Sequence, residues 1–405
     1  MAIQAIVFDV GGTLLETTGG SRPASTNTPQ PGVANMLAGL RAMGLTIIAA
    51  SNPPVFLKLK ASGLWDQIDH LVESADVGAP KRGPAWVDEF VKRTGLRPNE
   101  FFYVGDSDND MVTATRGPMI YAHAMWSPEP PSAYGLRALS PVWVVNVVRH
   151  IFMKRHPWYW TLDGTDGHGR PVQAMTLIDA DGAGNDATKR ALLRLLKDDI
   201  DIPIRNAPMM LRQFVMLHML ASVYDSNLFG GTQLWTTYPG HTGTPNDVMG
   251  DFLKVAAKLS RNNYTPDLFI RHKEAIRSRD ARKQDGPVGG LRNQLETMHV
   301  NIDYLDSIVG KRVLLLDNFL TWGYSTEGGR TLLLQAGAAE VVVACVAKYG
   351  PRISVISPSD DDWSAFEIAR PDSARFPQRE VWGNRYDDAL DEFVASLYGM
   401  VEAPW

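Results

Sequence analysis

The segment from Val313 to Gly337 constrains the fold of this chain more than any other. Its apolar run, Val313 to Leu316, is typical of a buried strand, and two polar residues, Asp317 and Asn318, follow directly. A turn with hydroxyl groups and glycine, Thr321 to Ser325, then leads into a helical pattern. A buried strand that passes through a tight turn into a helix is typical of a parallel sheet covered by helices. We therefore expect an α/β fold.

The same segment predicts a ligand site at the end of its strand. Backbone N–H groups at a helix N-terminus point outward and carry partial positive charge, so the loop with Thr321, Gly323 and Ser325 suits a phosphate. Asp317 lies where its carboxylate could accept hydrogen bonds from sugar hydroxyl groups. A sugar phosphate would satisfy both halves of the segment. The alternative is an ordinary strand, turn and helix without a ligand.

Residues 317–325, with the sequence DNFLTWGYS, resemble the signature with which type I phosphoribosyltransferases bind 5-phosphoribosyl-1-pyrophosphate (PRPP). That signature has two acidic residues after an apolar strand, two variable residues, and a loop with hydroxyl groups and glycine. Two positions depart from it, because Asn318 replaces the second acid and Trp322 replaces a small hydroxyl residue. An amide cannot offset positive charge on a ribosyl cation, so PRPP binding is better supported than transfer. The resemblance implies PRPP contacts, with Asp317 also catalytic, for Asp317, Asn318, Thr321, Trp322, Gly323, Tyr324 and Ser325.

Two further segments fit the same resemblance. The turn Tyr238-Pro239-Gly240 follows an apolar strand pattern and could offer backbone amides to pyrophosphate, although an ordinary strand-to-helix turn would look similar. The basic run from Arg271 to Arg292 contains Arg271 and Lys273, and glycines follow. The family covers PRPP with a mobile basic loop, so the resemblance implies this role for the run. The alternative is a solvated helix face of mixed charge.

Composition excludes several classes of protein. The chain has 405 residues, enough for two or three domains, and a formal net charge of −5 argues against nucleic acid as a partner. The single cysteine, Cys345, excludes disulfide scaffolds and cysteine-rich zinc sites. The longest apolar stretch, Val142 to Val148, is too short to cross a membrane, and the N-terminus lacks a basic leader. We expect a cytoplasmic protein with no membrane partner.

Strand and helix patterns alternate over residues 1–150. Ile3 to Val10, Leu45 to Ala50 and Phe101 to Val104 are typical buried strands, and helical patterns separate them. The stretch from Thr17 to Pro31 is rich in Ser, Thr, Pro and Gly and is expected to form a loop. Parallel strands need such helical crossovers, so this part predicts a first α/β domain.

A second α/β run covers residues 205–371. Between the two runs, residues 151–204 are expected to contain a hairpin (Tyr159 to Ile178) and a helix, as a bridge or as a hood over the second site. Residues 372–405 are expected to form a C-terminal extension. The sequence thus predicts two doubly wound α/β domains, each with a parallel sheet.

The first domain carries its own set of chemical groups. Asp9 ends the first strand pattern, Ser51 ends the second, and Asp106 and Asp110 follow a further strand. Lys81 lies in the segment VGAPKRGP. Ligand sites of such sheets gather at the carboxyl ends of the strands. Asp9 would attack phosphorus, Ser51 and Lys81 would hold the phosphoryl oxygens, and Mg²⁺ would be bound by Asp9, Asp106 and Asp110.

The order and spacing of these groups resemble the haloacid dehalogenase-like (HAD) hydrolases. The resemblance implies a Rossmann-like fold. Neither the interval from Thr13 to Ser51 nor the interval from Asn52 to Lys81 is long enough for a separate cap domain. The phosphatases of this superfamily carry an aspartate as general acid and base two residues after the nucleophile, where this chain has Gly11. Gly11 could give its backbone carbonyl to Mg²⁺, but it cannot move a proton. The alternative is a HAD scaffold with weak or lost activity.

Together the two resemblances predict a bifunctional enzyme of the nucleotide-metabolism type. One site would transfer a phosphoribosyl group from PRPP to a nitrogenous small-molecule acceptor, and the other would hydrolyse a phosphate ester with Mg²⁺. The alternative is a regulatory protein that senses PRPP or phosphate, because both signatures lack one acidic group, at Gly11 and at Asn318. A homo-oligomer is compatible with either function.

Overall fold

The computed structural model describes residues 3–18, 24–181, 187–204, 209–243, 247–276, 280, 290–358 and 377–402. In chain order its strands are β1 (Ala5–Asp9), β2 (Leu15–Thr17), β3 (Ser25–Pro29), β4 (Thr46–Ser51), β5 (His70–Glu73), β6 (Phe101–Gly105), β7 (Ile120–Ala124), β8 (Leu136–Ala138), β9 (Trp160–Thr165), β10 (Pro171–Asp179), β11 (Leu234–Thr237), β12 (Asn263–Tyr264), β13 (Phe269–Arg271), β14 (Met298–Val300), β15 (Arg312–Leu320), β16 (Glu340–Lys348), β17 (Arg352–Ile356), β18 (Gln378–Trp382) and β19 (Asn384–Arg385). Its α-helices are α1 (Val33–Ala42), α2 (Phe56–Ala61), α3 (Ser74–Val77), α4 (Pro84–Thr94), α5 (Asp108–Arg116), α6 (Pro141–Val147), α7 (Ala187–Asp198), α8 (Leu211–Asp225), α9 (Leu228–Gly231), α10 (Asp247–Ser260), α11 (Leu305–Ile308), α12 (Tyr324–Gln335) and α13 (Asp387–Glu402).

The first sheet has the spatial strand order β5-β4-β1-β6-β7-β8, and all neighbouring pairs are parallel. The central strand β1 is buried along its whole length, including Asp9 at its end. The chain runs outward from β1 to β4 and β5 on one side, and to β6, β7 and β8 on the other. The strand order therefore reverses beside β1, which is where α/β sheets place their ligands.

The second sheet has the order β12-β11-β15-β16-β10-β9-β19. The strands from β12 to β10 pair in parallel, and β9 and β19 add antiparallel neighbours at one edge. β15 lies inside the parallel part and continues to Leu320, beyond the predicted apolar run. Its pairing with β16 extends to Leu320 opposite Lys348. Asp317 and Asn318 therefore lie within the strand and not at its tip.

One apolar core runs from the first sheet to the second. It contains Val7 of β1, Leu314 of β15 and Phe393 of the last helix, α13. α13 packs against the π-helical turn Val148–Phe152, which directly follows α6. The Phe393 ring also lies 5.1 Å from the ring of Phe214 in α8. Buried apolar contacts thus join the two α/β units.

The α/β class and the parallel first sheet are confirmed, and two expectations need correction. The hairpin expected between Tyr159 and Ile178 is present as β9 and β10, but β10 pairs with β16 inside the second sheet. The β9–β10 part of residues 151–204 therefore belongs to the second sheet. The stretch from Thr17 to Pro31, expected as a loop, contains β3, which pairs with β2. Little of β3 is buried, so its residues are polar and do not alternate with apolar residues. The sequence therefore shows no strand pattern there.

Within the described ranges, none of the helices is both long enough and apolar enough to cross a lipid bilayer.

Candidate active sites

The first candidate site lies where β1 and β6 end. Asp9 is the last residue of β1, and Asp106 and Asp110 flank the start of α5 just after β6. Lys81, from the loop before α4, donates from Nζ to Asp9 Oδ1 and, at 2.7 Å, to Asp110 Oδ1. Ser51 is buried at the end of β4, which pairs with β1. The structure therefore brings together the five side chains that the sequence assigns to this site.

Three carboxylates and one lysine form this cluster, and all four residues are buried, with at most 6% of each residue exposed. Burial raises the pKa of Asp9 well above its ordinary value, and the other two carboxylates add to this against the attraction of Lys81. Burial also raises the pKa of Asp106 to about 6. Burial alone would lower the pKa of Lys81, but Asp110 and Asp9 raise it above the ordinary value, so the ammonium group stays charged. The single positive charge of Lys81 does not neutralise three buried carboxylates, so the cluster has room for a further positive charge.

A divalent cation would supply this charge. One carboxylate oxygen from each of Asp9, Asp106 and Asp110 lies within 4.8 Å of the other two. Asp9 Oδ2 is buried without a hydrogen-bond partner. Magnesium prefers oxygen ligands of this kind, and Gly11 lies two residues after Asp9, so its carbonyl is a further candidate ligand.

Several polar groups that the sequence analysis did not assign hold these carboxylates. Tyr103 donates from its hydroxyl to Asp110 Oδ1 at 2.9 Å, and Ser107 donates to Asp110 Oδ2. Ser127 donates to Asp106 Oδ2 at 2.6 Å. Ser127 comes just after β7, the next parallel strand, so the rule that strand ends share one edge could have indicated it.

Two glycines shape the floor of the first site. Gly12 has a φ of +81°, and a Cβ atom there would lie 1.9 Å from Asp106 Oδ2, so a side chain would displace this carboxylate. A Cβ atom on Gly11 would lie 2.8 Å from the Ser25 hydroxyl oxygen. The Ser25 hydroxyl group would therefore have to move to admit a side chain at position 11.

The second candidate site is a cleft of about 340 Å³ at the carboxyl ends of β11 and β15. A smaller cleft of about 50 Å³ lies beside it and is lined by Phe319 and residues 321–326, which include Trp322, Gly323 and Tyr324. Segments far apart in sequence meet in the larger cleft. Among its lining residues are six that the sequence predicts to bind PRPP, namely Tyr238, Arg271, Asp317, Asn318, Thr321 and Ser325.

A buried lysine, Lys348, holds the loop between β15 and α12 through hydrogen bonds. Lys348 donates from Nζ to the carbonyl oxygens of Thr321 at 3.0 Å, Tyr349 at 2.7 Å and Arg352 at 3.1 Å. Gly323 precedes α12 with a φ of +83°, a conformation that glycine adopts without strain. The loop therefore presents the N-terminus of α12 to the smaller cleft in a fixed position, which suits an anion.

Charged groups face each other in the larger cleft. Arg271 donates from Nε to the Gly240 carbonyl oxygen at 2.8 Å and from Nη2 to the Tyr238 hydroxyl at 3.2 Å. Burial raises the pKa of Asp317 to about 7. A hydrogen bond from the backbone N–H of Asn318 and the charge of Arg271 oppose this shift. Asn318 donates from Nδ2 to the Leu196 carbonyl oxygen of α7 at 2.9 Å. Its amide group is therefore already held by α7.

Three expectations for the second site are not met or lie outside the described residues. Lys273 is exposed and does not line the cleft. The Tyr238 N–H donates to the Leu316 carbonyl within the sheet, and proline has no N–H, so this turn offers fewer amides than expected. Most of the basic run after Arg271, including residues 277–279 and 281–289, falls outside the described residues.

The substitution Asp317→Asn is expected to make the protein more stable at alkaline pH than the wild type. The folded protein raises the carboxyl pKa from 3.8 to about 7, so it binds this proton more tightly than the unfolded chain does. The resulting stability is present below about pH 4 and is lost as the pH rises through about 7. Asparagine stays neutral, so its advantage should grow by roughly 2–3 kcal/mol between about pH 5 and about pH 8.

Calorimetric unfolding at about pH 5 and pH 8 checks this prediction. The matched control is Asp306→Asn, which makes the same change at an exposed residue. A stability difference between Asp317→Asn and wild type that does not grow with pH would contradict it.

Comparison with known proteins supports the first unit. Residues 21–122 match the family described as haloacid dehalogenase-like hydrolase. This range contains Ser51, Lys81, Asp106 and Asp110, while Asp9 precedes it. No curated protein matches the chain.

Solved structures of the same superfamily are similar to part of the chain. A HAD-superfamily hydrolase of subfamily IA, variant 1, from Geobacter sulfurreducens PCA is 15% identical, with 33% of this chain and 95% of that chain covered and a TM-score of 0.28. A HAD-superfamily hydrolase from Ehrlichia chaffeensis is 16% identical, with 36% and 97% covered and a TM-score of 0.31. A HAD phosphatase from Thermococcus onnurineus is 25% identical, with 30% and 58% covered and a TM-score of 0.27. The similarity of this chain to haloacid dehalogenase-like hydrolases rests on the family match of residues 21–122.

Proposed function

We propose that the chain is a two-site enzyme: the first site removes a phosphoryl group from a phosphorylated metabolite, and the second uses PRPP to modify a nitrogenous acceptor. The observation that carries the proposal is the contact of one lysine, Lys81, with both Asp9 and Asp110, with Asp106 beside them. A carboxylate nucleophile, a fixed cation and further oxygen ligands are the groups that phosphoryl transfer needs. The family match of residues 21–122 agrees with this chemistry.

At the first site the roles follow from position. Asp9 would attack phosphorus, because it ends the central strand and keeps one oxygen, Oδ2, without a partner. Lys81 orients Asp9 and adds positive charge, and the buried Ser51 at the next strand end would contact the phosphoryl oxygens. Mg²⁺, held by Asp9, Asp106, Asp110 and the Gly11 carbonyl, would neutralise the charge of the phosphoryl group. The deciding substitution is Asp9→Asn, because it keeps the shape and removes the nucleophile.

At the second site the support comes from the convergence of four segments on one cleft. Asp317 would accept hydrogen bonds from the ribose hydroxyl groups, and the loop from Thr321 to Ser325 would bind the 5′-phosphate. Arg271 lies against the turn at Tyr238 and would contact pyrophosphate. The acceptor would approach from the remaining side of the cleft and take the phosphoribosyl carbon as pyrophosphate departs.

The second site is tested by calorimetric titration of PRPP with Mg²⁺ into the full chain. Asp317→Asn should weaken binding about 10- to 100-fold, because hydrogen bonds to a charged group are worth about 1.5–3 kcal/mol. The exposed control Asp306→Asn should bind PRPP like the wild type. Equal binding by Asp317→Asn, or no binding of PRPP by the wild type, would overturn the assignment.

A PRPP-sensing regulatory protein is the second candidate function, and the position of Asn318 favours it. Its side chain donates to Leu196, and a neutral amide cannot offset charge on a ribosyl cation. A sensor would bind PRPP but release no pyrophosphate with any of a panel of nitrogenous bases. Pyrophosphate release that depends on one base would decide for the enzyme.

A further inference from the structure

Two residues after Asp9 the first site carries no side-chain acid, because that position is Gly11. A Cβ atom added there would lie 2.8 Å from Ser25 Oγ and 3.7 Å from Thr17 Cγ2. The Ser25 hydroxyl therefore lies beside the point from which an acid at residue 11 would extend.

The charged side chains of the site are held in other contacts. Lys81 bridges Asp9 and Asp110, and Asp110 also accepts hydrogen bonds from Tyr103 and Ser107. Asp106 accepts from Ser127 at 2.6 Å. None of these contacts places an acidic proton on the hairpin side of Asp9, where Gly11 and Ser25 meet.

Lys58 of α2 donates from Nζ to the Ser25 carbonyl oxygen at 2.6 Å, so it holds the residue whose hydroxyl lies beside Gly11. This contact fixes the β2–β3 hairpin beside the first site.

Leaving groups differ strongly in their need for a proton. An alkyl phosphate ester must expel an alkoxide, which is strongly basic, and general acid help in such steps is worth about 10²–10⁴-fold. A phosphoanhydride expels a phosphate, which is a weak base with a pKa of about 6–7 and departs without a proton. A site without an acid therefore discriminates against alkyl esters and in favour of anhydrides.

We propose that the first site acts on phosphoanhydrides, of which inorganic pyrophosphate is the simplest, with alkyl phosphate esters as slow substrates. This inference rests on the role proposed above for Asp9. A carboxylate oxygen of Asp9 forms a bond to one phosphorus, and the bridging P–O bond breaks with its electron pair on the departing phosphate. Water then attacks the phosphorus of the aspartyl phosphate, the bond to Asp9 breaks, and the proton of water passes to solvent. In sum, one pyrophosphate and one water give two phosphates.

The same missing group affects the second step. The attacking water takes the position in line with Asp9 that the leaving oxygen has vacated. A residue that protonates the leaving oxygen in the first step would therefore also deprotonate the water in the second step. Without it, hydrolysis of the aspartyl phosphate is slow relative to its formation from an anhydride. Pyrophosphate should therefore give a rapid burst of one phosphate per chain, followed by slower turnover. The pyrophosphate that the second site would release is a substrate of this class.

Rapid-quench kinetics on the full chain with Mg²⁺ test the proposal, with pyrophosphate and ribose 5-phosphate as probes. We expect formation of the aspartyl phosphate to be about 10²-fold or more faster from pyrophosphate than from ribose 5-phosphate. Gly11→Asp combined with Ser25→Gly, which makes room for the acid, should narrow the preference for pyrophosphate at least about tenfold.

The outcomes separate this inference from the function on which it rests. Equal rates for the two probes, with both reactions abolished by Asp9→Asn, would overturn the anhydride preference and leave the proposed hydrolysis intact. Turnover that survives Asp9→Asn, or no turnover of either probe, would overturn the proposed function itself. An unchanged preference in the Gly11→Asp, Ser25→Gly protein with a native unfolding temperature would also count against the inference.

Discussion

Asp9→Asn is expected to lower phosphate release by the first site on the order of 10⁴-fold or more, the scale on which loss of a nucleophile acts. The amide keeps the size of the side chain but cannot attack phosphorus. Folding should not suffer, because the buried cluster holds three carboxylates against one lysine, and burial raises the pKa of Asp9 well above its ordinary value. Removing one of these charges relieves repulsion, so the unfolding temperature should stay level or rise.

Phosphate release at saturating Mg²⁺ and calorimetric unfolding measure both parts of this expectation. The matched control is Asp108→Asn, the same change at an exposed residue two positions before Asp110 on α5, which should retain wild-type activity. If Asp9→Asn keeps more than about a tenth of the wild-type rate, Asp9 is not the nucleophile.

Arg330→Met is expected to destabilise the protein by about 3–5 kcal/mol, which is typical when one partner of a buried ion pair is removed. Arg330 is 1% exposed. It donates to both carboxylate oxygens of Glu327 at 2.9 and 3.0 Å, to the Ile356 carbonyl at 2.8 Å, and to Asp166 at 3.4 Å. Methionine can fill the space of the side-chain stem, but it leaves Glu327 buried without its cation, while Asp166 keeps its ion pair with Arg170.

Urea unfolding of the variant and the wild type checks this value. Arg41→Met is the matched control, because Arg41 pairs with Asp69 at 2.6 Å but is 39% exposed, and surface pairs are worth about 0–1 kcal/mol. A loss of less than about 1 kcal/mol in Arg330→Met would show that water reaches the Glu327 carboxylate.

Sequence patterns locate the acidic groups of the first site because ligand-binding residues of parallel sheets follow the carboxyl ends of the strands. Asp9 and Ser51 end buried parallel strands, and Asp106 follows another, so the shared edge of the sheet brings them together. The order of the motifs then places Lys81. For the second cleft, the strand pattern before Asp317 and the glycine turn after it were sufficient to predict that this segment borders a cavity.

The remaining contacts depend on tertiary packing that no local pattern carries. The polar hairpin strand with Ser25 has no apolar alternation, and its approach to Gly11 is visible only in three dimensions. β15 extends beyond its apolar residues because β16 offers it a longer partner. The contact of Asn318 with Leu196 requires that α7 lie over the strand, which sequence spacing does not fix.

The position of α13 has a consequence for the synthesis of this protein. The helix is the last described element of the chain, yet Phe393 belongs to the core shared by both units, and the helix covers the turn that ends the first one. During translation, the apolar residues of that turn, such as Ile151 and Phe152, must wait for most of the polypeptide to emerge before their cover arrives. A gene fragment that stops after the first unit would leave this surface open to water, so the halves of the chain are poor candidates for separate expression.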